Sequence, residues 1–406
     1  MRPSHISGIS ALLRRAPVAT IAPMASPVDD HRASFVRLLH RALDLPAYFD
    51  AFDRTLHHSV PFDASCWLSL DPGTGLPTSH LSRQFGFAHL MALVANEFLE
   101  EDVNKFTVLA RAERPVGILS QATGGDQGRS ARYVDLLAPN GYAEGDELRA
   151  VFRDGDAAWG AVALHRRQGT FQETDAALIA DLGGLVAHGI RRAILRTAAT
   201  SARGSEQPGL IVLRADDSVE SLTPAAERWL GEVFDSTIRS QPAPLTVVSV
   251  AHKARRSARG TSDEVASVRV PTRTGGWLRM DASLLDDHAR GRVAVIISAA
   301  RDPEVAGLIA RAYGLSARER DVTGHVLNGR STQEIVDALH VSPYTVQDHL
   351  KSIFEKVGVR SRRELVAQLF LQQYAPKLAA GASRAADGRF LDGETVPRHR
   401  EDVPAQ

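Results

Sequence analysis

Three expected helix starts between residues 315 and 370 each carry a Ser followed three positions later by a Glu: Ser316 with Glu319, Ser331 with Glu334, and Ser361 with Glu364. In such a pair the hydroxyl accepts from the N3 amide while the carboxylate reaches back to the cap's own N–H, so donors that a helix start leaves orphaned are satisfied from within. Helix starts are therefore fixed locally, and the segment from Leu315 to Phe370 is expected to fold as four short helices. So many defined corners hold one helix at a set angle to the others.

The third helix is the exposed one. Ser342 can cap it, Pro343 suits its first turn because no N–H is needed there, and Gly358 stands where a left-handed terminal residue belongs. Val346, Leu350, Ile353 and Val357 recur at helical spacing and are expected to bury one face, leaving Tyr344, Gln347, Asp348, Lys351 and Ser352 on the other. The second helix, Ser331 to Leu339, is joined to it by His340 and Val341 alone. Two short helices around so tight a turn match helix-turn-helix geometry, in which the second helix enters the major groove.

The ordered runs Leu315-Ser-Ala-Arg-Glu319, Gly329-Arg-Ser-Thr-Gln-Glu334, Val341-Ser-Pro-Tyr-Thr345-Val346-Gln-Asp-His349-Leu-Lys351 and Lys356-Val-Gly358-Val-Arg-Ser361-Arg-Arg-Glu364 resemble the DNA-binding domain of LuxR-type transcription regulators. The resemblance implies that Thr345 and His349 lie near the DNA backbone, that Gln347, Asp348 and Lys351 read bases, and that the fourth helix, from Ser361, mediates dimerisation. It also implies double-stranded DNA as partner, a homodimer, and RNA polymerase as a further partner. The chain departs from the family at Gln347, where a basic residue is common.

Each side chain suits a different task. Gln347 can pair two-pronged with adenine, Asp348 can accept from cytosine N4, and Lys351 can reach guanine or a phosphate. Two bland alternatives stay open: Asp348 paired with Lys351 or Ser352 on a solvated face, and Tyr344 as a packing residue instead of a phosphate donor. Lys351, Lys356, Arg360, Arg362 and Arg363, opposed only by Glu355, form a stripe that attracts phosphate, with Lys356 and Arg360 as backbone contacts.

Over 406 residues the formal net charge is zero, so nucleic-acid affinity must come from that local patch. A single cysteine, Cys66, excludes an internal disulfide and a cysteine-rich zinc site, in keeping with a cytoplasmic home. No stretch approaches the roughly 18 apolar residues of a membrane span. Arg14 and Arg15 faintly suggest an export signal, but Pro17 and Pro23 interrupt any apolar run. Residues 1–33 are expected to be a disordered tail, or partly sequence upstream of a start near Met24.

Upstream of the helices the pattern alternates helix and strand. Leu38 to His57 has helical spacing, Ala64 to Leu70 reads as a strand, and Glu147 to Phe152 with Ala157 to His165 make a strand pair around Asp154-Gly155-Asp156. A long helix follows, with Leu178, Leu182, Leu185, Val186, Ile190 and Ile194 in period; its stripe covers its own sheet or pairs with a second copy. Gly183 and Gly184 within it suggest a close approach. Trp159-Gly-Ala-Val-Ala-Leu-His-Arg, then Gly169-Thr-Phe171, then Asp175 to Ala193 resemble the end of a GAF domain. Strands at Gly209 to Leu213 and Val219 to Leu222, a helix from Thr223-Pro224, then strands at Val265 to Val270, Trp277 to Leu285 and Arg292 to Ala299 resemble a PAS domain.

The expected fold is therefore multidomain: two α+β sensor-like domains, GAF-like over 34–197 and PAS-like over 209–300, then an all-α four-helix helix-turn-helix domain over 315–374. A linker (198–208), a helical connector (301–314) and a disordered tail (375–406) complete it. Sensor folds hold many ligands or none, so no cofactor or small-molecule ligand is named.

Catalytic arrangements are wanting. Gly124-Gly125-Asp-Gln-Gly128 lacks the Lys-Ser/Thr ending of a phosphate-cradling loop, and adjacent His57 and His58 point apart on a helix. Glu97, Glu100, Glu101 and Asp102 read as a solvated helix end, with cation binding the rival; Cys66 reads as buried. The chain is expected to be a regulator and not an enzyme, against the alternative of a protein-interaction scaffold, or a catalytic or covalent sensor, with an accessory helix-turn-helix.

Overall fold

The computed structural model describes residues 27–198, 207–234, 243–260, 265–273, 275–285, 291–300 and 302–369. The C-terminal tail, most of the 198–208 linker and the region of Met24 lie outside the described residues, while helix α1 (Pro27–His40) already opens inside the stretch read as an N-terminal tail. The helical spacing from Leu38 to His57 turns out to be two helices. Asp44 ends the first by capping α2 (Leu45–Ser59), its Oδ1 accepting from Ala47 N at 2.9 Å, and Pro46 sits in the first turn, where a missing N–H costs nothing.

The first sheet holds β1 (Ala64–Leu70), β2 (Pro77–Arg83), β3 (Val116–Ile118), β4 (Asp146–Asp154) and β5 (Ala157–Arg166), antiparallel in the order β2-β1-β5-β4-β3. Every residue of β1 is buried, because both faces are covered. On one face α1, α2 and α6 (Glu173–Ala198) close over an aromatic core in which Trp67 meets Phe52 at 5.4 Å and Phe152 at 5.9 Å. The indole N–H of Trp67 donates to Asp53 at 2.7 Å, which offsets the cost of burying it. The apolar stripe of α6, including Leu182, Val186, Ile190 and Ile194, is spent on this core. The close approach lies not at Gly183 or Gly184 but at Gly189, where a Cβ would collide with Tyr48 of α2.

On the other face lie α3 (Phe87–Leu99), α4 (Phe106–Leu109) and α5 (Leu119–Ala122), together with a buried ionic cluster. Arg132, with no exposed side-chain surface, gives Nε and Nη2 to Glu147 at 2.9 and 2.6 Å and Nη1 to Asn96 at 3.0 Å; Arg149 reaches Glu97 at 3.1 Å, and His165 Nε2 meets Glu147 at 3.1 Å. Burial pushes the Glu147 carboxyl up, but Arg132 and Arg149 outweigh it and hold the group well below the usual range. This corrects the reading of the acidic run as a solvated end: Glu97 and Asp102 turn inward to arginines, and only Glu100 and Glu101 are exposed.

The second sheet holds β6 (Gly209–Leu213), β7 (Val219–Leu222), β8 (Ser267–Pro271), β9 (Trp277–Leu284) and β10 (Val293–Ala299), antiparallel in the order β7-β6-β10-β9-β8. Counted within its own unit, each sheet has the order second, first, fifth, fourth, third. Helix α7 (Pro224–Val233) follows β7, capped by Thr223. Helix α8 (Leu245–Ala258) had no counterpart in the sequence reading. It lies between the second sheet and α3 of the first unit, and every residue from Leu245 to Arg255 is buried. Arg269 of β8 clamps Asp71 with Nη2 at 2.6 Å and Nε at 3.0 Å, joining the two units again.

Helix α9 (Asp302–Ala312) packs on α6, where Arg191 Nε donates to Ala312 O at 2.8 Å. Four helices follow: α10 (Ala317–Leu327), α11 (Thr332–Leu339), α12 (Pro343–Val357) and α13 (residues 362–369). No described helix is long and apolar enough to cross a membrane.

Candidate nucleic-acid interface

The four C-terminal helices are started by the residues the sequence singles out. Ser316 Oγ accepts from Glu319 N at 3.3 Å while Glu319 Oε2 accepts from Ser316 N at 2.6 Å, and Ser331 with Glu334 repeats both bonds at the same distances. The third pair differs in one bond. Ser361 Oγ accepts from Glu364 N at 3.1 Å, but Glu364 reaches one residue further back, to Arg360 N at 2.8 Å. Helix α11 ends on His340 in the left-handed region (φ 53°), and after Val341 the hydroxyl of Ser342 caps α12, accepting from Thr345 N at 3.1 Å. Helix α12 ends at Gly358 (φ 76°), a conformation glycine enters without a Cβ clash.

Val346, Leu350, Ile353 and Val357 are buried as one stripe and pack with Val322, Val326 and Ile335 of the preceding helices and Leu365 and Leu369 of α13. The opposite face is wet. Tyr344 is 76% exposed, and Gln347, Asp348 and Lys351 are exposed beside it, so these four side chains share one stripe of α12. Among the described residues neither Lys351 nor Ser352 bonds to Asp348; Ser352 Oγ donates instead to Glu319 at 2.6 Å. Thr345 is half-buried, its Oγ1 2.8 Å from Ser342 Oγ, and His349 is half-buried on the flank. Arg360 is exposed just past the helix end.

Lys356 is differently placed from the rest of the basic stripe. Its Nζ donates to both oxygens of Glu319, at 2.8 and 2.6 Å, so its charge is already paired. Burial raises the Glu319 carboxyl, but Lys356, Ser352 and Ser316 more than offset this and hold it at about 2. One carboxylate thus caps α10 and ties it to α12, fixing the two helices against each other. The sequence showed Glu319 as a cap, but only the fold brings Ser352 and Lys356, one turn apart on α12, to its free side.

Residues read as bland candidates for chemistry have structural partners. His57 sets its ring edge-on to Phe62, His58 bonds Arg54 O at 2.6 Å, Cys66 is buried, and Gly124 and Gly125 take positive φ in the turn after α5.

A capped helix pair around a two-residue turn, with a polar stripe facing solvent on the second helix, defines a helix-turn-helix domain of the DNA-binding class. Residues 314–369 match the family described as bacterial regulatory proteins, luxR family, and this unit belongs to it. A probable transcriptional regulatory protein NarL of Mycobacterium tuberculosis is 41% identical over 59 residues, covering 14% of this chain and 27% of that protein. The uncharacterized transcriptional regulatory protein YhcZ of Bacillus subtilis is 39% identical over 62 residues, or 15% and 28%. The chain therefore spans about a quarter of either relative's length. Among solved structures, the VqsR LBD domain from Pseudomonas aeruginosa overlaps 40% of this chain and 96% of that one at 19% identity and a TM-score of 0.30. A Vibrio cholerae VqmA-ligand-DNA complex overlaps 42% and 84% at 19% identity and 0.20. Scores so low do not establish a shared arrangement.

Proposed function

We propose that this chain is a sequence-specific DNA-binding transcription regulator of the LuxR type, working in the cytoplasm as a homodimer on double-stranded DNA and carrying no catalytic activity of its own. The observation that carries the reading is the wet stripe of α12: Tyr344, Gln347, Asp348 and Lys351 exposed, with the opposite stripe wholly buried. Gln347 and Asp348 read bases, Lys351 sits at a base-reading position and reaches phosphate as well, and Tyr344, Thr345, His349 and Arg360 meet the backbone. Lys356 approaches phosphate only as the outer half of its pair with Glu319. The helix from Ser361 brings two copies together, and RNA polymerase is the further partner. Upstream, a GAF-like unit (34–197) and a PAS-like unit (209–300) sense a signal that the connector (301–314) passes on; their common strand order supports one sensor architecture used twice.

Electrophoretic shift of DNA, including the protein's own upstream region, tests this at low salt and with cell extract present. No shift would hand the case to an interaction scaffold or a catalytic sensor. Where a shift is seen, Lys351→Ala should weaken every site and lower the salt slope by about one, whereas Gln347→Ala should relax preference at one base pair by about 1–3 kcal/mol. Equal effects of both on random DNA would overturn this division of roles.

A further inference from the structure

We propose that a cavity between the first sheet and α3 is where the sensing role proposed above is exercised, and that its ligand is a small uncharged molecule with a hydrogen-bond acceptor, of the kind a primary amide exemplifies. The inference rests on that sensing role and adds to it a place and a ligand class.

The cavity, of about 50 Å³, has an apolar wall that includes Cys66, Leu68, Leu93, Phe98 and, from α8 of the second unit, Leu245. By the volume a buried water needs, it admits about four waters, or a ligand of about five non-hydrogen atoms. Its polar lining is Glu97, Thr107 and Arg149, the Thr107 hydroxyl being turned to Glu97 at 3.5 Å. Arg149 is 3% exposed and lies 3.9 Å over the Phe106 ring; its Nη1 is taken by Glu97 at 3.1 Å and Asn104 O at 3.3 Å. Its Nε has no hydrogen-bond partner among the described residues, the nearest carboxylate, Glu147, standing 3.7 Å away. A buried donor without an acceptor is costly, and this one belongs to a side chain that lines an open space.

Charge selects against ions. Arg132, Arg149 and Lys105 are balanced by Glu97, Asp102 and Glu147, all buried side chains acting on one another. An anion or a cation added to that balance would be buried without a counter-charge, while a neutral acceptor satisfies Arg149 and leaves the balance intact. Burial pushes the Cys66 thiol up to about 12 in spite of nearby Arg149, so it stays protonated and binding is non-covalent.

The test uses the full chain and three probes of similar size, propionamide, propionate and propylammonium, followed by saturation-transfer NMR and calorimetry. Propionamide is expected to bind at least ten-fold tighter than either ion. Leu93→Trp, which fills the cavity, should remove that binding; if this variant fails to fold, Ala163→Val intrudes less from β5 and should weaken it. Binding of propionate or propylammonium as tight as propionamide, no binding of propionamide, or binding that survives in a folded filled variant each overturns the proposal. DNA shift is read separately. A chain that shifts DNA but ignores propionamide sinks this inference alone, and one that binds propionamide in the cavity without shifting DNA sinks only the regulator reading.

Discussion

Helices α8 and α12 are almost equal in length, at 14 and 15 residues, yet they are specified in opposite ways. Helix α12 carries its own instructions: Ser342 starts it, Pro343 occupies the first turn, Gly358 stops it, and one apolar stripe faces inward. Helix α8 carries almost none. Its N-terminus has no side-chain cap, and Thr246, Val247, Val248 and Val250 are β-branched residues whose preference runs toward strands. It is a helix because two sheets close on it, so its identity is a property of the assembled core. Local chemistry secures the helix-turn-helix; distant burial secures the two sheet-bearing units.

This contrast can be tested by stability measurements. Arg132→Ala should cost about 3–5 kcal/mol in denaturant unfolding, because Glu147 and Asp102 would be left buried without their partner. A loss below about 1 kcal/mol would put the cluster on a level with an ordinary helix cap and erase the distinction. Glu319→Gln comes next, on the order of 3 kcal/mol near neutral pH, since the carboxylate is nearly buried and held near 2 against an ordinary 4.5. The sign follows from the depressed value: the stabilisation is full above about 4.5 and drains away as pH falls toward 2, so melting of the variant should be flatter across that window. An unchanged pH profile would show that Lys356 and Ser352 do not clamp Glu319 in solution. Ser331→Ala should cost only about 1 kcal/mol with the denaturant slope unchanged, as expected for one exposed cap.

The same contrast explains what could be read in advance. The helix starts, turn and buried stripe of the helix-turn-helix were legible because each is a short-range pattern, and the exposed set on α12 followed from its period. In the first unit the strands around Asp154 and the long helix were legible for the same reason. What was not legible depends on residues far apart in the chain. The acidic run at Glu97 to Asp102 looks solvated until Arg132 and Arg149 arrive from elsewhere, and Lys356 looks like a free cation until Glu319 is folded against it. The break at Asp44 was available as a local cap followed by Pro46, and it lay hidden inside a longer apolar period. Helix α8 was missed because a segment with no wet face offers no periodicity to detect.

A helix without a wet side has no single owner. Anyone who severs this chain near residue 200, hoping to harvest the two sheets as interchangeable parts, leaves Cys66 and Leu90 on one fragment and Val247 and Val250 on the other stripped of cover. Chimeras built from this molecule should instead be joined after Ala312, so that both sheets travel together with the helix wedged between them.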